Sequence, residues 1–199
     1  NIDALKKEGC WNNDWDVTHE LIRRKQNQIN LQIQTPTKEK VIQTFNNFYF
    51  GGDPLGDPIN WDGFIKNESL LATNSLFQQL SHQNFSWGFV SGAERSSASF
   101  VLENRLGLKK PALIAMGEAP EKPNPKGLIK ISEKISKVKL GSNAPPILYI
   151  GDTVADIMTV INARKSIPSQ QFISIGIAPP HFHLEKKKSH RIKYEEKLK

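Results

Sequence analysis

The chain has 199 residues, 38% hydrophobic and 24% charged, enough for one medium domain with a small accessory one. No apolar run approaches the roughly 20 residues that span a bilayer, so no membrane partner is expected. The single cysteine, Cys10, excludes an internal disulfide framework and suits a cytoplasmic protein. Lysine and arginine exceed aspartate and glutamate by 27 to 20, and residues 186–199 (KKKSHRIKYEEKLK) hold most of that excess, leaving the body nearly neutral.

Residues 1–68 are polar, rich in Asn and Gln, and helical in period. Leu21, Ile22, Lys25 and Ile29 fall on neighbouring turns, as do Val41, Ile42, Phe45, Phe48 and Tyr49. Thr35, followed by Pro36, predicts a helix start. A glycine and proline stretch at 51–63, GGDPLGDPINWDG, reads as a connection. From residue 69 the pattern becomes short apolar runs alternating with amphipathic helices. Helices are expected at 69–81, 94–106, 125–138 and 154–163, and strands at 85–90, 112–116, 147–150 and 172–177. The expected fold class is therefore α/β, a Rossmann-like parallel sheet flanked by helices over 69–199, with residues 1–68 as a small helical domain. The basic segment 186–199 reads either as a patch for acidic partners or as a solvated helix. It lacks interleaved aromatics, which favours the solvated helix and no nucleic acid partner.

Ligands of such sheets bind beyond the carboxyl ends of the strands, so the residues following each strand carry the functional reading. Ser91-Gly92 follows the first strand and leads into a helix, where a hydroxyl and unpaired backbone N–H groups can cradle an anion; a plain helix cap explains it as well. Lys122 follows the second strand in EAPEKPNP, its backbone restricted by prolines, and suits the charge of a phosphoryl group; an ordinary loop lysine is the alternative. Asp152 follows the third strand in ILYIGDTVADIMTV, with Asp156 four residues on. Two acids there call for a cation or a lysine, and hard carboxylate oxygens suit Mg²⁺; the alternative is a helix cap at Asp152 with Asp156 solvated.

In this order and separated by βα units, Ser91, Lys122 and the strand-GDxxxD-helix resemble the second, third and fourth motifs of the haloacid dehalogenase superfamily, over roughly residues 80–178. Residues 1–68 stand where the capped phosphatases of its subfamily IA insert a helical cap. GCWNNDWDVTHELI, KPNPKGL and YIGDTVADI are similar to a cyanobacterial-type subgroup. The resemblance implies a Mg²⁺-dependent phosphohydrolase for a small phosphorylated metabolite such as phosphoglycolate or a sugar phosphate. Ser91 and Gly92 would bind the phosphate, Lys122 would balance its charge, Asp152 would hold the metal, and Asp156 would support the metal waters or Lys122. Asn12, Asn13 and Asp14 would be substrate-facing cap residues, or else caps of the following helix.

The family's nucleophile is an aspartate in DxDx(T/V) at the end of the central strand. The literal match here, Asp14-Trp15-Asp16-Val17-Thr18, follows the polar KKEGCWNN and lacks the apolar strand that would deliver it to a sheet edge. The chain opens on Asn1 and stops inside a helical pattern, so a longer gene product is expected, with the nucleophile upstream and the 199 residues inactive alone. The alternatives are a non-catalytic binding module on the same fold and a related phosphomutase.

Overall fold

The structure, a computed structural model, describes Ile2, Leu5 and residues 14–199. Its contacts group into two compact units, Asn1–Leu76 with Glu94–Lys110, and Phe77–Ala93 with Pro111–Lys199. Among the described residues no helix is long and apolar enough to cross a membrane.

In the first unit, α1 (Asp14–Gln28) packs on α2 (Lys38–Tyr49), with the Trp15 and Phe45 rings edge to face at 4.7 Å. The start of α2 corrects the sequence reading. Thr37, not Thr35, is the cap, its side chain accepting from the Lys40 N–H at 3.3 Å. Thr35 instead donates to Gln26 Oε1 at 2.7 Å, tying the connection back to α1.

The unit's core gathers Phe50, Trp61, Ile65 and Phe100. The 51–63 connection reaches it because Gly63 lies so close to the end of α2 that a Cβ would stand 2.3 Å from the Tyr49 carbonyl oxygen. The N–H groups of Asp62 and Gly63 both donate to the Phe50 carbonyl, at 2.9 and 2.8 Å. The helix expected over 94–106 is split. α4 (Arg95–Ser99) passes into a π-helical turn, Phe100–Arg105, closed by the Leu106 N–H on the Val101 carbonyl. Arg105 donates to the carbonyls of Ile65 and Glu68. Asn74 donates to those of Leu106 and Gly107, each at 2.9 Å. These ties hold residues 65–74 as a connection, so α3 begins only at Asn74 and runs to His82.

The second unit carries the strands. β1 (Phe89–Val90) pairs in parallel with β2 (Leu113–Ile114), and β3 (Ile147–Gly151) in parallel with β4 (Phe172–Gly176). These are two separate two-stranded sheets, where the sequence predicts one continuous sheet. The first pair is also shorter than expected. Lys110 adopts φ 46° and Pro111 lacks an N–H, so β1 finds no partner backbone until Ala112, whose carbonyl accepts from Phe89 at 2.8 Å. Gly117, at φ 79°, turns the chain away soon after β2.

One helix serves both pairs. α5 (Lys126–Ser136) sets Gly127 against Val90 and Ile114, where a Cβ would meet them at 3.4 and 3.8 Å, and Ile131 over Gly88. Leu128 of the same helix packs with Val160 and Ala163 of α6 (Val154–Ser166) and with Phe172 of β4. Arg164 closes α6 onto β4 with two bonds to the Phe172 carbonyl, at 2.9 and 3.1 Å. The basic segment forms α7 (Lys188–Glu195) and is anchored. Tyr194 Oη donates to the Asp152 carbonyl at 2.7 Å, its ring lies 4.9 Å from that of Phe182, and Leu198 is buried against Gly176.

Candidate functional site

Three loops at the carboxyl ends of β1, β2 and β3 hold Ser91, Lys122 and Asp152. Ser91 donates its N–H to the Ile114 carbonyl at 2.9 Å, and its Oγ accepts from the Ala93 N–H at 3.0 Å. The following helix has Glu94 at its N-cap position, without a side-chain cap bond, so Ser91 makes a local turn and is not the helix cap. Gly92 is exposed, and a Cβ there would meet nothing within 4 Å.

Lys122 is joined to α6. Its Nζ lies 2.7 Å from Asp156 Oδ1, the peptide to Pro123 is cis, and Asn162 of α6 donates to the Pro123 carbonyl at 3.0 Å. The loop therefore has two anchors on one helix. Asp156 is 3% exposed and accepts four hydrogen bonds. Oδ1 takes Lys122 and Tyr149 Oη, the latter at 2.9 Å; Oδ2 takes the Thr153 hydroxyl at 2.6 Å and the Thr153 N–H at 3.1 Å. Burial pushes the Asp156 carboxyl up, but the Lys122 ammonium and the donors of Lys122, Thr153 and Tyr149 outweigh it and hold the group below its ordinary value. Burial also pushes the Tyr149 phenol well above its usual range, with the charges of Asp156 and Asp152 adding to the effect.

This arrangement overturns the alternative of a helix cap at Asp152 with Asp156 solvated. α6 starts at Val154, so Asp152 precedes it, and the cap is Thr153 in a reciprocal box with Asp156. Asp156 is buried, not solvated, and both its oxygens are occupied. That leaves Asp152 as the exposed hard donor at this strand end. Among the described residues no three His, Cys, Asp or Glu side chains gather as a metal would require. Taken alone, the described residues thus fit a cation only as one ligand of an incomplete set. Asn12 and Asn13 lie outside the described residues. Asp14 opens α1, so Asp14-Trp15-Asp16-Val17-Thr18 lies within a helix, with Asp16 paired to Lys38 at 2.5 Å.

Tyr149, Thr153 and Gly151 belong to the site and were not singled out from the sequence. The Thr-x-x-Asp spacing was available as a signal, because Thr153 and Asp156 form the Ser/Thr-x-x-acid pattern of a capping box. Gly151 is required because a Cβ there would stand 2.3 Å from Asp156 Cβ. Tyr149 was hidden inside an apolar strand run.

The chain is similar to the phosphatase Tt82 from Thermococcus thioreducens, with a TM-score of 0.50 and 25% identity, over 79% of this chain and 59% of that one. The fold is mixed α/β and phosphatase-like. The chain is also 29% identical over 160 residues to an imidazoleglycerol-phosphate dehydratase from Phytophthora nicotianae, covering 79% of this chain and 32% of that protein. The chain thus spans about a third of that curated relative's length and under two thirds of the solved phosphatase's. No protein-family profile matches it.

Proposed function

We propose that this chain is the phosphate-receiving part of a haloacid-dehalogenase-type phosphohydrolase of the capped subfamily IA, acting with Mg²⁺ on a small phosphate monoester such as phosphoglycolate or a sugar phosphate. The observation that carries the reading is the pair of half-buried Lys122 with buried Asp156, set by a strand-loop-helix at the carboxyl end of a parallel sheet. It provides a fixed positive charge where a phosphoryl group would sit. The likeness to a solved phosphatase supports the same class, and the curated relative's name also speaks of a phosphate-bearing substrate.

In this reading Ser91 Oγ and the backbone around Gly92 bind the phosphoryl oxygens, and the Lys122 ammonium balances their charge. Asp156 keeps Lys122 in place. Asp152 would hold the cation together with carboxylates from outside the described residues, and the cation would supply charge neutralisation and alignment of the reacting oxygens. Asn12, Asn13 and Asp14 belong to a cap over the substrate. The nucleophile is an aspartate on a strand upstream of this chain, forming an aspartyl-phosphate that water then hydrolyses. Among the described residues β1 and β3 each have a single strand partner within the same unit, which supports a further strand between them.

The reading is tested by assaying p-nitrophenyl phosphate hydrolysis with Mg²⁺, using the 199-residue chain and a protein extended by its upstream coding sequence. The chain alone should be inactive. The extended protein should be active and should lose activity on Lys122→Met or Asp152→Asn. Activity in the chain alone that disappears on Asp14→Asn would overturn the reading of the nucleophile.

A further inference from the structure

The phosphatase reading uses only the bond between Asp156 and Lys122, yet Asp156 accepts four. The two on Oδ2, from the Thr153 hydroxyl and N–H, are explained by helix capping, since they close the start of α6. Capping leaves Oδ1 unaccounted for. That oxygen receives Lys122 Nζ at 2.7 Å and Tyr149 Oη at 2.9 Å, from a loop and from a strand respectively. Tyr149 packs against the cluster of Leu128 on α5, Val160 and Ala163 on α6 and Phe172 on β4. Phenylalanine would fill the same apolar space. A hydroxyl brought into a buried position costs desolvation unless it has a partner, and this one's partner is the oxygen that holds the lysine.

We propose that Tyr149 is a positioning residue for Lys122: its hydroxyl fixes Asp156 Oδ1, and that oxygen sets where the lysine's ammonium stands at the phosphate site. The inference rests on the phosphatase reading for the use to which Lys122 is put, but not for the geometry. Lys122 is carried on a loop and has a long side chain with many rotamers, which the prolines around it do not restrict. An acceptor clamped from both sides removes that freedom. An ammonium has three N–H bonds, so one given to Asp156 still leaves donors to direct at a phosphoryl oxygen.

The test reads the lysine directly in the full 199-residue chain. In ¹⁵N-lysine NMR, the Lys122 ammonium protons should exchange slowly with water. Tyr149→Phe should speed that exchange about fivefold, the loss of one ordinary hydrogen bond. Lys139, whose pair with Glu133 lies on the surface at 3.2 Å, should not change. Unchanged Lys122 exchange in the folded variant overturns the proposal, as does an equal change at Lys122, Lys139 and the α6 amides, which would mean general loosening. If Tyr149→Phe does not fold, the unaltered chain decides. A Tyr149 hydroxyl bound as described exchanges slowly enough to split its Cζ resonance in mixed H₂O and D₂O, and a single averaged line overturns the idea. Neither measurement needs turnover, so an inactive extended protein would count against the proposed function and leave this inference standing.

Discussion

Gly151 controls the site's geometry. A Cβ at this position would lie 2.3 Å from Cβ and 2.5 Å from Cγ of Asp156, so Gly151→Ala must displace the carboxylate that Lys122, Tyr149 and Thr153 share. The expected cost is about 2–3 kcal/mol, the upper range for overpacking, measured by urea denaturation. A variant as stable as the parent would mean that the carboxylate has another seat. Asp156 also gives the fold a pH dependence of defined sign. Its folded pKa lies below the ordinary 3.8, so it stabilises the fold above the unfolded value, and that stability is lost as pH falls through the folded value. Lys122→Met removes the ammonium but leaves the burial, which pushes the folded pKa upward. The variant's loss of stability on acidification should therefore begin at higher pH than the parent's, as urea midpoints between about pH 3 and 7 would show. Coincident profiles would mean that Lys122 does not govern Asp156. The residue pattern left this partly legible. Asp156 and Lys122 were identifiable from position, but their pairing needed the fold, because 34 residues separate them.

Among the elements, α7 differs most from its sequence reading. Its lysines and arginine mark it as a solvated helix, yet Tyr194 reaches the Asp152 carbonyl and Leu198 is buried against β4. Two apolar anchors at the end of a charged run give no periodic signal, which is why composition missed them. Gly176 tests the packing. A Cβ there would stand 2.6 Å from Leu198 Cβ, so Gly176→Ala should cost about 1–3 kcal/mol in the whole chain. It should cost almost nothing once residues 186–199 are deleted. Equal costs in the two backgrounds, measured by thermal melting, would place Leu198 elsewhere in solution. The strands show the opposite balance. β3 and β4 were readable to within a residue because their apolar runs are uninterrupted. β1 and β2 were overextended because sequence period does not reveal where a partner strand begins, a matter decided by the φ of Lys110 and by Pro111.

At the scale of the molecule, the uninterrupted runs ILYI and FISIGI read as strands buried on both faces, as parallel sheets require. The structure covers only one. Tyr149 and Phe172 face the helices, while Leu148 and Ile150 on β3, Ile173 and Ile175 on β4 and Ile177 just after it are between 41% and 57% exposed. An aliphatic surface of this kind on one sheet, beside an edge that has no partner strand among the described residues, favours association or non-specific binding. The chain should therefore bind a hydrophobic dye in its native state, and its sedimentation should depend on concentration. Ile150→Lys with Ile175→Lys should suppress both effects while changing stability by no more than about 0.5 kcal/mol each, as expected of exposed positions. A loss of several kcal/mol would show instead that the face is covered in solution. The two outcomes are well separated, because burying a lysine in place of isoleucine costs far more than moving one on a surface.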